Sequence, residues 1–171
     1  MLTGCSGSDG AAHPDGTSPA GSSTAASATA TPTPTPTPTL EKDLSANAIA
    51  AAVRTKVATI TDVVALTAET DSNQLLGRPN GYTQATVLSD SHGACPPDGP
   101  GTDCGATIEV WGSQSDAQAR SDYIQSILKQ SPELGSEYDT VGGNVLLRVT
   151  GKLTPDQAKP YQEAFAAYVG S

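Results

Sequence analysis

The chain has 171 residues, a net charge of −9 and only 36% apolar residues, with 13 prolines, 17 glycines, one Trp and one Phe. That is too little core material for one uniform fold, so two unlike parts are predicted, one disordered and one compact. The acidity speaks against a nucleic-acid binder, which needs a basic patch, and no run of eighteen apolar residues is present to form a transmembrane helix.

The amino terminus carries Leu2-Thr3-Gly4-Cys5, followed by Ser6-Gly7-Ser8. It resembles the bacterial lipobox, in which an apolar residue and two small residues precede a cysteine. The resemblance implies that the Cys5 thiol is acylated with diacylglycerol and becomes the new amino terminus, small neighbours giving a peptidase access to the bond. Each buried methylene is worth about 0.8 kcal/mol, so two or three acyl chains hold a protein firmly to a membrane. Residues 1–5 are therefore read as the remnant of a signal peptide. An apolar h-region normally precedes such a site, and the expectation is that the true start lies further upstream.

Residues 6–40 are almost entirely Thr, Ala, Ser, Pro and Gly, and include a strict Thr-Pro repeat from Thr31 to Thr39. Proline fixes φ and removes a donor, which favours polyproline II without internal hydrogen bonds. At about 3.1 Å per residue that repeat spans roughly 28 Å as a semi-rigid rod. The segment is predicted to be a disordered tether.

Residues 41–171 hold all nine Lys and Arg and sixteen of the eighteen acids, a net −7. That length suits one domain. Leu44 to Lys56 reads as an Ala-rich helix, with Ile49, Val53, Val57 and Ile60 on one face. Residues 59–67 become β-branched and either extend the helix or form a strand, the strand being preferred. Asp71-Ser72-Asn73 and Arg78-Pro79-Asn80-Gly81 signal turns. Tyr82 to Leu88 and Thr107 to Trp111 alternate as strands.

Between these strands, Cys95 and Cys104 bracket Pro96-Pro97-Asp98-Gly99-Pro100-Gly101-Thr102-Asp103, a segment too rich in turn formers for helix or inner strand. A disulfide closing this loop is predicted, as in an oxidising compartment. The pair lacks C-x-x-C spacing. Adding His92 gives only three soft ligands with no fourth, so no metal site is expected.

Ser115-Asp116-Ala117-Gln118 matches a capping box, opening a helix to about Lys129 with Arg120, Ile124, Ile127 and Leu128 along one stripe. Glu137 to Val141 and Asn144 to Thr150 flank Gly142-Gly143 as a predicted hairpin turn. Glu137 and Asp139 share one strand face and are expected to face solvent. Thr154-Pro155-Asp156-Gln157 is a second capping box with Pro at the first helical position. The final helix carries Ala158, Tyr161, Phe165, Tyr168 and Val169 at helical spacing. The expected class is α+β, an antiparallel sheet of four to five strands with helices packed on one face.

Four segments carry a wider resemblance: Leu75-Leu76-Gly77-Arg78-Pro79-Asn80-Gly81-Tyr82, Ile108-Glu109-Val110-Trp111, Ala117 to Ile124, and Gly143-Asn144-Val145-Leu146-Leu147-Arg148-Val149 with Leu153-Thr154-Pro155. Over roughly residues 57–169 the chain is similar to a group of uncharacterised actinobacterial lipoproteins and secreted proteins. The resemblance implies export and a small α+β domain, and it transfers no catalytic residues.

Few residues suggest chemistry. Asp90-Ser91-His92 has the residue types of a triad, but sequence neighbours are not expected to face one another as a triad requires. His92 with Asp90, Asp98 and Asp103 could gather a cation, the plainer reading being a solvated polar loop. Arg78 either pins its loop or reads a ligand carboxylate. Trp111 is either sheet packing or a ligand platform. Arg78, Trp111 and His92 are thus the weak candidates for ligand binding, and no cofactor is expected. The overall expectation is a lipid-anchored protein on the extracytoplasmic face of the membrane, non-catalytic, binding an envelope protein or a small ligand. The alternatives are a secreted hydrolase using the 90–104 loop, or an inhibitor of an envelope enzyme presenting it.

Overall fold

The structure, a computed structural model, describes residues 42–97 and 99–170. Cys5, the lipobox at 1–5, the tether at 6–40 and Asp98 lie outside the described residues. The Ala-rich segment forms α1, Ala46–Arg54. The Ser45 hydroxyl accepts from the Ala48 amide at 3.3 Å and so satisfies one orphan donor of the first turn. The β-branched stretch after it is the strand β1, Ile60–Ala65. Extended backbone suits its Val and Thr side chains, which lose χ1 freedom in a helix.

Four more strands follow: β2 (Gln84–Asp90), β3 (Gly105–Val110), β4 (Glu137–Gly142) and β5 (Val145–Thr150). All pairings are antiparallel and the spatial order is β1-β2-β3-β5-β4. Two longer helices complete the α+β fold: α2 (Gln114–Gln130), between β3 and β4, and α3 (Pro155–Val169) after β5.

The helices do not share one face. Alternation along each strand sends Leu88, Ile108, Leu147 and Val149 to one side, where α1 and α3 cover them with Ile49, Val53, Tyr161 and Phe165. Leu146, Trp111 and Ala85 point to the other side and pack against Ala117 of α2. The expectation of a single covered face fails because β5 is apolar at consecutive positions. A strand that reads Val-Leu-Leu is buried from both sides.

Two local details also differ from expectation. The hairpin loop is Gly143-Asn144, because Gly142 pairs with Val145 inside the ladder. Gly142 is required there by packing, since a Cβ would come within 2.4 Å of Val169 Cγ2. Gly143 supplies the positive φ, at 57°. The cap of α2 is Ser113, two residues before the expected Ser115. Its hydroxyl accepts from the Asp116 amide and donates to Asp116 Oδ2 at 2.6 Å. Gln118, expected to close the box, donates instead to Asp122 one turn on. In α3 the capping box forms as predicted, Thr154 and Gln157 satisfying each other's backbone amides. Among the described residues no helix is long and apolar enough to cross a membrane.

Candidate functional site

The α2 face of the sheet holds most of the buried charge. Glu109, on the central strand β3, has no exposed surface. It accepts from Arg148 Nη1 at 2.9 Å and from the Trp111 indole at 3.2 Å, and the Arg120 Nε lies 3.8 Å away. Arg148 also forks onto Glu137, its Nε and Nη2 each 2.8 Å from a carboxylate oxygen. Burial disfavours the Arg148 charge, but the pairs with Glu137 and Glu109 outweigh it and raise its pKa.

Asp139 sits opposite Arg148 across the hairpin and beneath α2. Ser121 donates to one of its oxygens at 3.1 Å, while the other is buried without a partner. Burial pushes its pKa up to about 6, and the charge of Glu137 adds to the rise. The expectation that Glu137 and Asp139 face solvent is therefore corrected. Their strand face is partly covered by α2, which leaves both residues half-buried.

The loop from Leu66 to Thr83 is organised by one buried carboxylate. Asp71 accepts from the amides of Asn73, Leu75 and Leu76 at 3.1, 2.8 and 2.9 Å, and from the Tyr82 hydroxyl. Burial raises its pKa, these four donors lower it, and the donors prevail. Tyr82 meets Trp111 edge to face, with centroids 5.5 Å apart.

Where this loop meets α2, a groove of about 550 Å³ opens, lined by Asn73, Leu75, Asn80, Trp111, Asp116, Ala119, Arg120 and Tyr123. A second groove of about 260 Å³ shares Asn73 and runs between the Asp71 loop and the disulfide loop, down to Glu137 and Arg148. In the first groove Arg120 donates from Nη2 to Asn73 Oδ1 at 3.2 Å, and its Nε is buried with no hydrogen-bond partner.

The residues singled out from sequence are scattered. Trp111 lies in the larger groove, nearly buried, with its indole N–H committed to Glu109. Arg78 is exposed, and its side chain makes no polar contact among the described residues, so it does not pin its loop. The loop is held by Asp71 instead. Cys95 and Cys104 form the predicted disulfide.

His92 is at the far end of β3 from Trp111, about 20 Å of strand away. Contrary to expectation, Asp90 and His92 do meet, with Nδ1 2.9 Å from Oδ1 in a tight turn. Ser91 Oγ approaches the same Nδ1, at 3.4 Å. A triad puts the acid and the nucleophile on opposite ring nitrogens, and this arrangement does not.

Asp90 itself serves the fold, accepting from Thr59 and from Tyr161 of α3 at 2.5 and 2.6 Å. Burial raises its pKa, and these bonds with those from His92 bring it below the usual range. Asp103 pairs with Lys152 at 3.0 Å. No group of three or more His, Cys, Asp or Glu side chains set to hold a metal ion occurs among the described residues.

Sequence reasoning missed the Glu109–Arg148–Glu137 chain and the role of Arg120, yet a signal existed. An arginine inside the apolar run Val145–Thr150 must be buried and paired. Glu109 is the one acid on the equally apolar β3. Comparison with protein-family models, with curated proteins and with solved structures finds no match to this chain.

Proposed function

We propose that the chain is a non-catalytic binding domain, lipid-anchored through Cys5 to the extracytoplasmic face of the membrane, which holds a small ligand in the groove between Trp111 and α2. The groove carries this reading. Its volume of about 550 Å³ lies in the range of small-molecule sites, roughly 300–1,000 Å³. Its walls combine apolar Leu75 and Ala119, the two aromatic side chains and a few polar groups, the usual composition of such sites. The lipobox and the Thr-Pro tether support the anchor, and the Cys95–Cys104 disulfide agrees with an oxidising compartment.

Two experiments test the two halves. Labelling cells with a palmitate analogue, using the gene with its upstream codons, should mark the protein and fail with Cys5→Ser. Equal labelling of both would remove the anchor. Screening a fragment library by amide chemical-shift mapping should give saturable shifts at Asn73, Trp111 and Ala119. A screen without shifts at those positions would remove the binding site.

A second reading, hydrolysis by the Asp90–His92 pair, draws on their 2.9 Å contact and a half-exposed imidazole. It predicts that His92→Ala abolishes an activity found by broad substrate screening while leaving the domain folded.

A further inference from the structure

We infer that the groove selects a small monocarboxylate with an apolar, ring-sized body and a hydroxyl or ammonium group near the carboxylate. This rests on the reading of the groove as a binding site and adds what it recognises. Arg120 carries the argument. Its side chain is only 12% exposed, so its charge sits in a poorly screening environment. It makes one hydrogen bond among the described residues, from Nη2 to Asn73. Its nearest acid is Glu109, at 3.8 Å, and that carboxylate is already bonded by Arg148 and Trp111.

Arg120 is thus a guanidinium fixed in place by Asn73, weakly compensated, with donors left over. A carboxylate matches such a group in charge and in planar geometry. Leu75, Trp111 and Tyr123 form the apolar surroundings, and Tyr123 is 59% exposed, so its ring is open to a ligand body.

Asp116 sets the second half of the specificity. It stands four residues before Arg120 on α2 and lines the same groove, which puts the two side chains on one helix face about 5–6 Å apart at Cβ. A second anionic group on the ligand would meet Asp116 and be repelled. A hydroxyl or ammonium on the carbon next to the carboxylate would instead donate to it. Acid, donor and apolar body on one small skeleton is the chemistry of hydroxy acids and amino acids with large side chains.

The chain contains a single Trp, so fluorescence reports on the groove without a label. The probes are 3-phenyllactate, its methyl ester and 3-phenylpropanoate, titrated into the full domain. Phenyllactate should give a saturable change, the ester at least tenfold weaker binding, and phenylpropanoate an intermediate affinity. Arg120→Gln should erase the preference for acid over ester. Arg120→Lys, which keeps the charge, should restore part of it. Asp116→Ala, on the exposed rim, should remove the preference for phenyllactate over phenylpropanoate, which covers the case in which Arg120→Gln fails to fold.

Equal binding of acid and ester overturns the inference and leaves the binding-domain reading intact. So does a fragment screen in which neutral compounds occupy the groove and carboxylates do not. A groove that no compound enters overturns both.

Discussion

The two faces of the sheet are built from opposite materials. Under α1 and α3 the contacts are apolar, and the one buried acid there among the described residues, Asp90, ends β2 and holds Tyr161 and Thr59. Under α2 three carboxylates and two arginines are packed among a small cluster around Trp111 and Leu146. Apolar burial stabilises by about 25 cal/mol per Å². Buried ion pairs often stabilise no better than apolar residues of the same volume. The first face therefore supplies stability, while the second, which carries the proposed site, keeps groups that stability alone does not require.

The contrast can be broken by substitution. Phe165→Ala on the apolar face and Arg148→Ala on the polar one should each cost about 3–5 kcal/mol in urea unfolding, the first by leaving a cavity and the second by stranding Glu109 and Glu137. They differ in rescue. Replacing Glu109, Arg148 and Glu137 together with apolar residues of similar volume should recover most of the loss. If the triple variant is no better than Arg148→Ala, the polar face is a stability device after all.

Next in size is the loop that walls the second groove. Replacing both Cys95 and Cys104 with Ser should cost about 2.7 kcal/mol, the chain entropy of closing a loop of roughly ten residues. Unchanged unfolding would show that the prolines alone hold that wall.

Asp139 gives a smaller effect with a pH signature. Its folded pKa of about 6 lies above the ordinary value of 3.8, so between these values the folded state keeps a proton that the unfolded state has released. Rising pH therefore destabilises the protein across that window, and the cost is complete above it. Asp139→Asn should stabilise the protein at pH 7, with the gain vanishing below pH 4. A gain that does not change with pH would place its origin elsewhere.

Asp71 and Asp90 act with the opposite sign. Their folded pKa values are lowered, so their contribution is present above about pH 4 and is lost as the pH falls further. The smallest effect concerns local structure on the apolar side. Thr154→Ala removes one arm of the α3 capping box and should lower stability by about 1 kcal/mol or less, as read by thermal melting.

The elements were largely legible in the residues, and the site was not. Alternation placed β3 and β5, the Thr154 box placed α3, and turn formers placed the disulfide loop, because these are local preferences. What escaped depends on which element covers which face. Glu137 and Asp139 alternate like solvent-facing residues, and only the return of α2 across them makes them half-buried. Trp111 was legible as either a packing residue or a ligand platform, while the Arg120 beside it read simply as part of a helix stripe. Asp90 and His92 met although they are neighbours, because the turn after β2 folds the ring back onto the carboxylate. Ser113 was overlooked as a cap because Asp116 is a shorter partner than the Gln sought at the third helical position.

Asp71 has a consequence for how tightly the groove can bind. Three groove residues, Asn73, Leu75 and Asn80, belong to a loop of eighteen residues, a length at which ordering entropy usually falls on the binding event. Here the Asp71 carboxylate gathers three of the loop's amides and the Tyr82 hydroxyl, so that entropy is lost once, during folding. A ligand of the proposed site would meet a surface already set, and its affinity should depend on Asp71, a residue outside the groove lining.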